Sequence, residues 1–176
     1  FALPSVWQFE NFAKAWKIAG IGTALTNSVI VTFASMALTL FLGTLAAYVL
    51  SRLEFRLKGP IMALFVLGML IPIHSTLVPL FIMMKKLFIL DTYWALILPY
   101  TAFELPVAIF VVAAYLTSVP KEVEEAAMID GNGYWGIFFR IIFPLAVPAM
   151  ATVAILAFLR FWNDFAFALI FISKPA

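Results

Sequence analysis

Residues 18–51 contain no Asp, Glu, Lys or Arg, and no feature of the sequence restricts its folding more. A helix rises about 1.5 Å per residue, so roughly 20 apolar residues carry it across a hydrocarbon core of about 30 Å. A helix at about 25–50 is therefore expected to span a membrane. Three further segments meet the same test: 60–84, which is free of these four residue types, 93–116, which holds only Glu104, and 141–163, which holds only Arg160. Apolar residues make up 65% of the chain and charged residues 11%, and the mean hydropathy is +1.10, so a water-soluble domain is excluded. Runs of this length read as helices, since a membrane barrel would need short alternating strands. Pro72 and Pro79 each remove a backbone donor, so the 60–84 span is expected to bend.

Several classes of chemistry fall away. There is no cysteine, hence no disulfide framework and no thiolate ligand or nucleophile. His74 is the single histidine, so a histidine-rich metal cluster is ruled out, and there is no Gly-rich phosphate loop of the Walker type. A net charge of +2 with scattered basic residues does not make a nucleic-acid surface. No nucleophile and base pair can be assembled, which leaves an enzyme as the weakest reading. Residues 1–24, with Trp7, Phe9, Phe12 and Trp16 among Glu10, Lys14 and Lys17, read as an amphipathic interfacial segment. Lys and Arg divide evenly: Arg52, Arg56, Lys58, Lys121 and Arg140 lie on one side, Lys14, Lys17, Lys85, Lys86 and Lys174 on the other, and Arg160 is assigned to neither. Charge therefore does not set the orientation.

The one long connector, 117–140, has the composition of a short capped helix. Ser118 is placed to cap it, Pro120 suits its first turn, and Glu122 and Glu124 complement the positive end of its dipole. Asp130-Gly131 and Asn132-Gly133 stop it, and residues 134–139 are expected to resume a helix running into the fourth span. Ala126, Ala127, Met128 and Ile129 form an apolar face suited to a partner's groove.

Within this loop, Glu125-Ala126-Ala127, three residues, Gly131, nine residues, then Ile141-Ile142-Phe143-Pro144 resembles the E-A-A-x3-G-x9-I-x-L-P loop of ABC-importer permeases. Phe143 stands where that family has Leu. Asn27-Ser28, Ala46-Ala47-Tyr48, Arg52, Ile71-Pro72, Pro79 and Trp162-Asn163-Asp164 extend the resemblance, and look like the carbohydrate branch that includes the maltose and glycerol-phosphate permeases. The resemblance implies an all-α, polytopic transmembrane bundle of the type I importer fold, with four of about six spans present and both ends cut. It places residues 117–140 in the cytoplasm, residues 1–24 on the extracytoplasmic side and the protein in the bacterial inner membrane.

The partners it implies are a cytoplasmic ATP-binding subunit dimer that holds the ATP and Mg, a second and different permease chain, an extracytoplasmic solute-binding protein and the lipid bilayer. No cofactor is expected on this chain. On the same resemblance the coupling residues are Glu124, Glu125, Ala126, Ala127, Met128, Asp130, Gly131, Ile141 and Pro144, with Glu125 making the charged contact and Gly131 allowing the turn. Polar residues within or beside the spans, His74, Glu104 and Asn163, are candidates for the solute path. Glu104 has two readings: hydrogen bonding to sugar hydroxyls in the solute path, or a helix-packing pair, for example with a group on the partner permease. Trp162, Asn163 and Asp164 sit near the outer boundary, where they have two readings: guiding solute, or an interfacial anchor, which is the commoner role for a Trp. The competing functions are a proton- or ion-coupled secondary transporter that uses Glu104, and a membrane scaffold, against which proline-broken spans with central polar groups argue.

Overall fold

The computed structural model describes residues 9–173, so Trp7 and Lys174 lie outside the described residues. A short helix, α1 (Glu10–Ile18), meets α2 (Ile21–Arg52) at Gly20, whose φ of 60° turns the chain. Phe12, Trp16 and Ile18 are exposed on α1 beside a Lys14–Glu10 ion pair of 3.7 Å, the composition of a helix lying at an interface. The 32 residues of α2 reach about 48 Å, beyond the hydrocarbon core at one or both ends.

The second apolar segment is broken. Helix α3 (Lys58–Gly68) and α4 (Leu77–Lys86) are joined by a 3₁₀ turn at Ile73–Thr76, and the two arms meet at 93°. Pro72, in extended conformation (φ −62°, ψ 117°), sits at this break. Pro79 falls in the first turn of α4, where its missing N–H has no intrahelical partner to lose, so it does not kink the helix. Helix α5 (Trp94–Leu116) runs unbroken through Pro99 and Pro106.

The loop helix α6 (Glu122–Ile129) precedes α7 (Tyr134–Ile137), a π turn at Phe138–Ile142, α8 (Phe143–Leu145) and α9 (Val147–Trp162). Residues 134–139 resume a helix that continues through the π turn and α8 into the fourth span, as expected, but that span itself bends by 68° between Leu145 and Val147. Pro144 and Pro148 flank this bend, and each removes a donor that a straight helix would need. A final helix, α10 (Ala166–Phe171), folds back against α4 and α5.

Among the described residues, two helices are long and apolar enough to cross a membrane, and counting each bent pair as one span gives four. Helices α2 and α5 form the most extensive contact and α9 packs on both. The buried face of α2 carries Ser35, Thr39, Gly43 and Ala47, four residues apart, so small side chains let α5 approach closely. Two apolar cores result. One, at the loop end, joins Ala47, Tyr48, Val112 and Leu116 to Ala127, Ile137, Phe138 and Ile142. The other, at the opposite end, packs Val31, Leu96 and Tyr100 with Phe161, Phe167 and Phe171.

Candidate functional site

Three features lie along this bundle: the loop helix at one end, an ion pair between the cores and a cavity at the far end. Helix α6 begins at Glu122 with Lys121 as its flanking residue and without a side-chain cap. The cap expected from Ser118 is not formed. Its Oγ donates instead to the carbonyl of Tyr115, 2.7 Å away, and so closes the end of α5. The other end of α6 is a Schellman turn: Gly131 has φ +83°, its N–H donates to Met128 O, and Asn132 N–H donates to Ala127 O, both at 3.0 Å. Arg140 Nη1 donates to Asn132 Oδ1 at 3.3 Å, tying this turn to the π turn that contains Ile141.

The two faces of α6 differ. Glu125, Ala126, Met128, Ile129 and Asp130 are exposed, whereas Ala127 is buried in the loop-end core, which corrects the expectation that it stands free. Glu124 is also buried. Its Oε1 lies 2.7 Å from Arg52 Nε at the end of α2, and the two side chains are 7% and 5% exposed. The N–H is not aimed at that oxygen, so the contact is an ion pair rather than a linear hydrogen bond. Arg52 Nη2 also donates to Val119 O at 2.7 Å. Burial pushes the Glu124 carboxyl above the usual carboxylate range, although Arg52 and then Lys121 pull the other way. Ile141 is partly buried against the same core, and Pro144 is exposed.

Between the cores, Glu104 is 0% exposed and its Oε2 lies 2.8 Å from Nη1 of Arg160 on α9. Of the two readings of Glu104, packing is the one this geometry meets, with a partner inside the chain. No atom of Glu104 reaches a surface that a solute could touch. His74 is exposed in the 3₁₀ turn, and Asn163 is exposed with its Nδ2 donating to Leu159 O at 2.7 Å. The three candidates for the solute path therefore do not converge on one site.

At the far end, a cavity of about 720 Å³ opens between the starts of α2 and α5 and the α9–α10 junction. Its walls include Asn27, Thr32, Tyr93, Trp94, Tyr100 and Asp164. Tyr100 stacks on Phe161 with centroids 5.1 Å apart and donates its O–H to Asp164 Oδ2 at 2.7 Å, while Phe167 N–H donates to the same oxygen at 3.1 Å. Tyr93 O–H donates to Asn27 Oδ1 at 2.9 Å. None of the three expected path residues, His74, Glu104 and Asn163, lines this cavity; Trp162 and Asp164, placed by the sequence near the outer boundary, do, as does Asn27, which entered through the resemblance, and the tyrosines were not singled out. The volume falls in the range of small-molecule sites, and aromatic faces with oxygen acceptors suit polar ligands with apolar C–H faces.

Residues 39–176 match the family described as binding-protein-dependent transport system inner membrane component. The chain is 45% identical over 173 residues to the probable ABC transporter permease protein YurM of Bacillus subtilis, covering 98% of this chain and 57% of that protein. It is 44% identical over 165 residues to the diacetylchitobiose uptake system permease protein NgcG of Streptomyces coelicolor, covering 94% and 55%. It is 38% identical over 171 residues to the melibiose/raffinose/stachyose import permease protein MelC of B. subtilis, covering 97% and 62%. The chain thus spans little more than half the length of these relatives.

Proposed function

We propose, because the chain belongs to the family of binding-protein-dependent transport system inner membrane components, that it is the larger part of a membrane permease that imports a sugar or oligosaccharide. In this reading a cytoplasmic ATPase dimer binds ATP and Mg and docks on α6, a second permease chain completes the path, and an extracytoplasmic binding protein delivers the solute. The observation that carries it is the two-faced α6. One face is anchored by Ala127 and Glu124, while Glu125, Ala126, Met128 and Ile129 stand out together. An amphipathic helix held rigidly at both ends is suited to entering a partner's groove. The sugar transport named for two relatives supports the solute class. The proton-coupled alternative gains nothing from Glu104, whose charge is already matched by Arg160.

The test is capture of the candidate ATPase by the full-length permease, comparing the native loop with Glu125→Lys and Gly131→Pro. Glu125→Lys is expected to reduce capture at least tenfold with the permease still inserted, since it reverses a charge on the open face. Gly131→Pro is expected to do the same by abolishing the Gly131 N–H bond and the left-handed turn. Undiminished capture by both variants rejects α6 as the docking element.

A further inference from the structure

Glu124 lies on the buried face of α6, opposite Glu125 and Ala126, and meets Arg52 at the end of α2. A buried ion pair is a poor source of stability, because the desolvation of both charges offsets most of their attraction, and a well-packed apolar pair is often as stable. Burial raises the Glu124 carboxyl pKa despite Arg52 at 2.7 Å, which is the sign of that cost. What an ion pair provides and an apolar contact does not is a Coulombic tie between two particular side chains, which resists their separation. Arg52 is tied to the loop twice, by a hydrogen bond to Val119 O before α6 and by the ion pair with Glu124 within it. Arg52 is also the last residue of α2, an unbroken helix whose other end contributes Asn27, Val31 and Thr32 to the far cavity.

We infer that the Arg52–Glu124 pair is the rigid link through which displacement of α6 is carried to α2, making both residues positioning residues for coupling and not docking residues. The inference rests on the docking reading of α6. When a partner moves α6, Arg52 must follow both Glu124 and Val119, and α2 then moves as a rod. Without the pair, α6 retains the packing of Ala127 and its covalent tie to α5, so it still presents Glu125 but loses its charged tie to the end of α2.

The chain has no cysteine, so a reporter thiol can be placed at will. Val29→Cys puts it on an exposed position of α2 about 35 Å along the helix from Arg52. The experiment uses a cysteine-free, full-length permease in its complex with the ATPase in lipid vesicles. It reads maleimide labelling of Val29→Cys with and without ATP, together with the amount of ATPase retained. The native pair is expected to show at least a threefold ATP-dependent change in labelling rate. Arg52→Gln and Glu124→Gln are expected to lose that change while retaining the ATPase. Arg52→Leu with Glu124→Leu, which leaves no unpaired charge if the single variants misfold, is expected to be assembled and equally silent. An ATP response that survives in the double-leucine variant overturns the link, as does ATPase release by Arg52→Gln, which would make the pair part of the docking surface. A native complex that retains the ATPase but shows no ATP response overturns the link alone, whereas a native permease that retains no ATPase removes the docking reading beneath it.

Discussion

Replacing Arg160 by leucine is expected to destabilise the permease by up to about 3 kcal/mol, the cost of leaving the buried Glu104 carboxylate without its half-exposed partner. Glu104 has no exposed surface, so it cannot turn to water when Arg160 Nη1, 2.8 Å away, is removed. Glu104→Leu should cost less. The Arg160 side chain is 53% exposed, and its long stem lets the guanidinium reach toward the membrane boundary. The double substitution Glu104→Leu with Arg160→Leu should recover most of the loss, because two apolar side chains carry no desolvation penalty. Thermal unfolding of the full-length permease in detergent checks the order: Arg160→Leu lowest, Glu104→Leu intermediate, the double variant near native. A double variant no better than Arg160→Leu would show that the pair contributes more than mutual neutralisation.

The same residues show what sequence alone conveys. The charge-free run at 18–51 sets α2 because length and hydropathy are properties of one segment, and Pro72 marks the bend because a missing donor acts locally. Gly131 reads as a turn for the same reason. What the sequence leaves open are partnerships between distant segments. Glu124 reads as a helix-dipole residue until Arg52, 72 positions earlier, is seen to bury it. Arg160 has no assigned side until Glu104 is found against it. Arg52 already lay on the loop side of the membrane in the charge count, and that was the available signal for its partner. Ser118 misleads because a hydroxyl near a helix start has two acceptable uses, and here the carbonyl of Tyr115 takes it. Exposure of the loop helix is similarly a matter of packing. Alternation of Glu124 and Ala127 with Glu125 and Ala126 becomes an inner and an outer face only once the loop-end core exists.

Gly43 carries the other large expected effect. A Cβ built on it would lie 2.7 Å from the Cβ of Ala108 on α5, whereas carbon atoms in contact need about 3.5–4.0 Å. Ala108 is buried and its Cβ is fixed by the helix backbone, so neither atom can rotate away and the two helices must part by roughly an ångström. Two effects oppose each other in Gly43→Ala. Helix propensity favours alanine by up to about 1 kcal/mol, and overpacking a close contact costs about 1–3 kcal/mol. Overpacking should win, because α2 and α5 share the longest interface of the bundle and the strain spreads along Ser35, Thr39 and Ala47. Gly43→Leu should prevent the two helices from packing at all, with loss of folded protein. Pairing Gly43→Ala with Ala108→Gly removes the clashing atom and should return the thermal midpoint to near that of the native permease. If Gly43→Ala alone raises the midpoint, the α2–α5 approach is looser than the geometry requires, and Arg52 and Glu104 are then held by their ion pairs rather than by the helices that carry them.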